Sequence, residues 1–167
     1  VLPRNIALAR RLKAPQHVIV DAGHKDGVRM RDFGQFGDPA REDACALLIE
    51  CGFHGELASR EVARDMVARM LVESGVIDAT DVPAGWLLPD PVAQRVLEVT
   101  NAVVAPSMDL RFSEAWTGLE TLAKAGSVIG WADGQPIVTP YDNCTLIMPS
   151  LRQLKPGVTV VRLARDY

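Results

Sequence analysis

Residues Cys45–Ile77 read CALLIECGFHGELASREVARDMVARMLVESGVI, and this stretch decides the fold class. Cys45 to Ile49 is a compact apolar run of strand length that ends on Glu50, Cys51 and Gly52. A helix follows. Ser59 is placed to cap it, and Val62, Ala63, Met66, Val67, Met70 and Leu71 recur at helical spacing, with Arg60, Arg64, Asp65 and Arg69 expected on the opposite face. Gly75 is placed to end it. An apolar strand that runs through a short polar link into an amphipathic helix belongs to an α/β fold.

Upstream, residues 5 to 13 (NIALARRLK) join Ile6, Leu8 and Leu12 to good helix formers, and Pro15 stops that helix. His17 to Val20 (HVIV) reads as a second buried strand. Between the two strands, residues 23 to 43 hold four glycines, Pro39 and many charges around a few apolar anchors. A loop of this length inside a compact domain is uncommon unless it is functional, so it is a candidate wall of a site.

The character changes at Pro83. Prolines 83, 89, 91 and 106 punctuate the chain, and short β-rich segments follow. The expected division is residues 1–82, carrying the α/β part, and residues 83–167, a small antiparallel β domain. Its expected strands are 95–104, 110–115, 127–131, 135–139, 144–148 and 159–163. Ala132, Asp133 and Gly134 predict a hairpin, because Asp-Gly accepts the positive φ of a tight turn.

Composition excludes several classes of function. At 48% hydrophobic and 23% charged the chain is an ordinary globular one, and disorder is not its default. A net charge of −3 with scattered cations gives no basic field for nucleic acid. The apolar runs are strand-sized, too short for a membrane helix, and VLPRNIALARRLK lacks the hydrophobic core of an export signal. The first residues read as part of a helix that starts further upstream. Cys45, Cys51 and Cys144 form an odd set without CxxC spacing, so a reducing cytoplasm is the expected home.

Glu50 is the sharpest chemical feature. In open α/β sheets ligands bind beyond the carboxyl ends of the strands, where a carboxylate serves as acid or base. The alternative is a Glu that caps a strand and pairs with a nearby Arg. Arg29, Arg31 and Arg41 offer guanidinium forks for a substrate carboxylate, or else salt bridges to Asp32, Asp38, Glu42 and Asp43. His17, His24 and His54 stand in neither HExxH nor HxxE spacing, so no metal ligand is expected within this chain. His54 is a candidate to orient a substrate or to hydrogen-bond Glu50, and His17 is expected to be structural. Cys51, on the strand face opposite Glu50, is expected to pack rather than react.

The quoted stretch Cys45–Ile77 resembles the segment of the succinylglutamate desuccinylase/aspartoacylase family that holds an apolar strand, a catalytic Glu, a Gly, often a His, and a long helix. HVIVDAGHKDGVRMRDFGQFGDP, residues 17–39, resembles the strand and substrate-side loop of bacterial members, and residues 137–166 resemble their closing β domain. The resemblance implies the C-terminal part of a zinc-carboxypeptidase-like α/β domain followed by a small antiparallel β domain. It implies a zinc-dependent deacylase that cleaves a linear amide in a small acidic N-acylated substrate. Glu50 would be the general acid/base, Arg29 or Arg31 would meet a substrate carboxylate, and Tyr141 would reach the pocket. The family's zinc ligands, an HxxE pair and a later His, lie well upstream of the catalytic Glu, and the 49 residues before Glu50 contain no HxxE. The implied zinc therefore belongs to an intact parent, with a homo-oligomer compatible. The rival expectation is a non-catalytic binding or assembly module in which Glu50 is structural.

Overall fold

A computed structural model describes residues 3–23 and 27–167. The chain divides into two compact units, residues 1–18 with 22–95, and residues 19–21 with 96–167.

The first unit is built on two helices, α1 (Pro3–Leu12) and α2 (Leu57–Glu73). Proline is at ease in the first turn of α1, where its missing N–H has no helical partner to lose. Leu8 and Leu12 of α1 and Met66 of α2 form a buried cluster with Ala14, and Val62 and Met70 pack against it. Leu8, Leu12, Val62, Met66 and Met70 are among the positions that the helical spacing singled out, whereas Val67 of the same set is exposed and Asp65, expected on the opposite face, is buried. The helix ends as expected: Ser74 is the C-cap, and Gly75 takes a φ of +71° just beyond it. Its start differs. Glu56, not Ser59, is the N-cap, and Ser59 lies inside the first turn with its hydroxyl given to the Phe53 carbonyl oxygen.

The loop of residues 23–43 is irregular, with short 3-10 turns at Met30–Asp32 and Gly34–Phe36. The strand expected at Cys45–Ile49 does not form. A ladder needs a neighbouring strand, and residues 45–50 have no backbone hydrogen bond to any described residue. The packing of an extended chain nevertheless persists. Cys45, Leu47 and Ile49 rest on the α1/α2 cluster, whereas Leu48 and Glu50 are exposed.

The second unit, residues 19–21 with 96–167, is β-rich. A five-stranded sheet has the order β1 (His17–Val20), β2 (Arg95–Val104), β8 (Thr159–Asp166), β7 (Cys144–Ile147), β4 (Thr121–Leu122). A three-stranded sheet has the order β3 (Leu110–Phe112), β5 (Val128–Ala132), β6 (Gln135–Val138). The expected hairpin is present: Ala132 pairs with Gln135, and Asp133 and Gly134 take φ of +49° and +75°. Positive φ at both central positions is the two-residue turn whose twist matches that of the strands.

The core of this unit gathers Leu110, Ile129, Cys144, Leu146, Val160, Val161 and Leu163. All four residues of β7 are buried, as a strand with both faces covered requires. Leu97, Ile147 and Ala164 form a second buried cluster with Ile19 and Val99 against it. The overall class is α/β with a small antiparallel β part, as the sequence predicts.

Candidate functional site

Glu50 is exposed, and a tight turn follows it. Gly52 holds a φ of +109°, and a Cβ built there would stand 2.9 Å from Ser59 Oγ. Only glycine combines that backbone with that approach. Ser59 donates to the Phe53 oxygen at 2.6 Å, and the Glu56 amide donates to the same oxygen at 3.1 Å. The turn thus fastens the chain just after Glu50 to the first turn of α2. His54 sits exposed within it.

Arg29 and Arg31 converge on one carboxylate. Arg29 Nε lies 2.6 Å from Asp32 Oδ2, and Arg31 Nε lies 3.7 Å from the same oxygen. Gly23 is packed under Arg29, since a Cβ there would meet the guanidinium carbon at 2.7 Å. Both side chains are mostly covered, 25% exposed for Arg29 and 14% for Arg31, so neither is a solvated loop cation; Asp32 hydrogen-bonds Arg29 and lies within ion-pair distance of Arg31. Arg41 is paired with Asp43 instead, and that exposed bond holds the Asp43 carboxyl at about 2.

Tyr141 belongs to the second unit. Its hydroxyl lies 2.6 Å from Thr100 Oγ1, which also lies 2.9 Å from Asn101 Oδ1 and 3.2 Å from the Leu163 oxygen. Those last two atoms can only accept. The phenol and the Thr100 hydroxyl can each donate to the other, so Thr100 can turn its proton to the phenolate when Tyr141 ionises. Thr100 occupies the register shift where β2 bulges against β8, so an irregularity in the ladder aims this hydroxyl at the ring. Burial pushes the Tyr141 hydroxyl above its ordinary value, while the Thr100 bond partly opposes the rise. The neighbouring Cys144 thiol is also pushed up by burial.

The histidines do not assemble. His17 starts β1, and burial followed by the Arg95 charge lowers its imidazole below the ordinary value. His24 lies outside the described residues. Among the described residues no three His, Cys, Asp or Glu side chains come together as a metal site. The donor set of these residues therefore does not fit zinc. Cys51 is half-buried, next to the exposed Glu50.

Two positioning groups escaped the sequence reading. Arg4 of α1 donates Nε to the Ala44 oxygen at 2.7 Å and Nη2 to the Asp38 and Phe36 oxygens at 2.9 and 3.1 Å. One guanidinium thus staples the end of the loop and the start of the Glu50 segment to α1. A cation in the first turn of a helix opposes the macrodipole, which was the available hint that Arg4 has work elsewhere. The second group is Asp65, which is buried on α2. It accepts from Arg69 Nε at 2.9 Å and from the Leu88 amide at 2.8 Å, and Arg69 in turn reaches the Leu12 and Leu88 oxygens and Asp90.

No protein-family model matches the chain, and no curated protein matches it. Solved structures do. Succinylglutamate desuccinylase from Vibrio parahaemolyticus is similar over 99% of this chain and 46% of its own, with a TM-score of 0.58 at 14% identity. Succinylglutamate desuccinylase from Vibrio cholerae is similar over 98% of this chain and 45% of its own, with a TM-score of 0.60 at 14% identity. The likeness is one of fold, and this chain spans less than half the length of the solved chains it matches.

Proposed function

We propose that this chain is the C-terminal part of a hydrolase that cleaves a linear amide bond in an N-acyl amino acid or a similar small acidic substrate. The observation that carries the reading is Glu50: a solvent-facing carboxylate at the end of an apolar segment, fixed by the Gly52 turn, in a chain whose fold follows that of two desuccinylases along almost all its length. In this role Glu50 takes a proton from the attacking water and returns it to the leaving amine. Arg29 and Arg31, held on Asp32, offer bidentate donors to a substrate carboxylate. His54 and Tyr141 are proposed substrate contacts. The zinc that the family resemblance implies would be gripped by residues other than the described ones, and no step is assigned to it here.

The same reading has the protein in the cytoplasm, acting on small molecules rather than on nucleic acid or membrane, and compatible with a homo-oligomer. No helix among the described residues is long and apolar enough to cross a membrane. The rival reading, a non-catalytic binding or assembly module, draws on the absence of a converging metal-donor set among the described residues. The test is amide hydrolysis of N-succinyl and N-acetyl amino acids by a form extended at its N-terminus, with and without Glu50→Gln. The substitution is expected to cost about 10²–10⁴-fold in turnover with the fold intact. Unchanged turnover would remove Glu50 from the chemistry, and an extended form that neither binds zinc nor hydrolyses would favour the module.

A further inference from the structure

We propose that Thr100 is a positioning residue for Tyr141, a reversible hydroxyl partner that lets the phenol turn its proton to an oxygen of the bound substrate. The inference rests on the reading above, in which Tyr141 meets the substrate of a linear-amide hydrolase. Three observations carry it. First, the Tyr141 ring is fixed. It packs against the core cluster that contains Cys144, and the backbone on either side of it is tied down. The Thr139 amide donates to the Ser127 oxygen at 3.0 Å, the Asn143 amide donates to the Ala123 oxygen at 3.2 Å, and Asp142 Oδ1 accepts from the Ala125 amide at 2.7 Å. A side chain locked in this way presents its polar tip at one place. Second, that place is open to solvent, because Thr100 and its bond to the phenol are exposed. Third, Thr100 Oγ1 has a choice of acceptors for its proton: the Tyr141 hydroxyl at 2.6 Å, Asn101 Oδ1 at 2.9 Å and the Leu163 oxygen at 3.2 Å.

A threonine hydroxyl carries one proton and accepts at its lone pairs. While the phenol donates to Thr100, the Thr100 proton goes to Asn101 Oδ1 or to the Leu163 oxygen. When the phenol turns its proton to a carboxylate or amide oxygen of the substrate, Thr100 turns its own to the phenol. Hydrogen bonds change partners and no covalent bond is made or broken. The phenol oxygen keeps a partner in both states, which a methyl group in place of the Thr100 hydroxyl could not provide. A merely structural Thr100, fastening the bulge through the Leu163 oxygen, would have no effect that runs through the ring.

Thr100→Val keeps the shape of the side chain and removes its hydroxyl, whereas Thr100→Ser keeps the hydroxyl. The two are compared first in the 167-residue chain by ultraviolet titration, with Tyr141→Phe marking which of the two tyrosines is read. The Val variant should titrate Tyr141 at higher pH and the Ser variant should restore it. The second comparison is kcat/KM for N-succinyl and N-acetyl amino acids in the N-terminally extended form used to test Glu50. Tyr141→Phe and Thr100→Val should each lower it about tenfold, as the loss of one hydrogen bond does, and the double variant should fall no further. Thr100→Ser should recover most of the loss. An unmoved titration overturns the proposal, as does a Thr100→Val loss that persists in the Tyr141→Phe background. Unchanged turnover with Thr100→Val or with Tyr141→Phe overturns it too and leaves the Glu50 reading standing. An extended form without any hydrolysis removes that reading and the role of Thr100 in turnover with it, whatever the titration shows.

Discussion

Ser59 gives its hydroxyl hydrogen to the Phe53 carbonyl oxygen across 2.6 Å, closing the turn between Glu50 and α2. Gly52 makes this contact possible. Gly52→Ala would force an L-residue to φ +109° and set its methyl 2.9 Å from Ser59 Oγ. A loss of about 1–3 kcal/mol is expected, read as a lower denaturant midpoint. A midpoint equal to that of the parent would mean that the turn is not held as described.

Asp65 and Asp90 both meet Arg69, but in different surroundings. The Asp65 side chain is 4% exposed and that of Asp90 is 52% exposed. Asp65→Ala leaves the covered Arg69 guanidinium and the Leu88 amide without their acceptor, and should cost about 3–5 kcal/mol. Asp90→Ala should cost clearly less, because solvent already screens that bond. Urea denaturation of the two variants decides the order, and equal losses would contradict it.

Arg4→Ala removes donors from the Asp38, Phe36 and Ala44 oxygens at once. Hydrogen bonds from a charged donor are the stronger kind, so a loss of about 1.5–3 kcal/mol is expected. The sharper readout is limited proteolysis. Cleavage within residues 34–44 should accelerate before the rest of the chain is attacked, and an unchanged digestion pattern would show that the staple is dispensable.

Alkaline conditions should weaken the second unit. Burial raises both the Cys144 thiol and the Tyr141 hydroxyl above their ordinary values of 9.0 and 10.0. A raised value in the folded state means that this stability is complete below the unfolded value and is lost as pH climbs through the folded one. Stability should therefore fall from about pH 9 upward, first through the thiol. Cys144→Ala should flatten that first part of the decline, whatever it does to stability at neutral pH. Thr100→Val, by removing the bond that opposes the rise, should move the Tyr141 titration still higher in an ultraviolet pH titration, and a downward movement would contradict the hydrogen bond.

The regular elements were legible where their signal is local. The Met66 and Met70 spacing predicts α2, and Asp133-Gly134 predicts its hairpin, because periodicity and turn chemistry are written in consecutive residues. β4 was not legible: two residues carry no period, and Thr121–Leu122 is a strand only because it pairs with Thr145 and Cys144. The helix start was misplaced because Ser59 has two acceptable jobs, and the choice was made by a carbonyl six residues earlier. Cys45–Ile49 has the composition of a strand but finds no ladder among the described residues. In the candidate site, the exposure of Glu50 follows from alternation along its segment. The grip of Asp32 on both Arg29 and Arg31 was foreseeable as the ordinary salt-bridge alternative, whereas Arg4 was hidden because its partners are main-chain oxygens distant in sequence.

The place of β8 between β2 and β7 also governs how the second unit comes into being. β2 and β8 lie at opposite ends of that unit's sequence, so its central ladder waits for the closure of a long loop, a slow event compared with the zipping of the β5/β6 hairpin. Until then β7 and β2 each expose a sticky margin. Lesions that delay or delete residues 159–166 are therefore expected to show themselves first as aggregation during biosynthesis, before any deficit appears in the mature molecule.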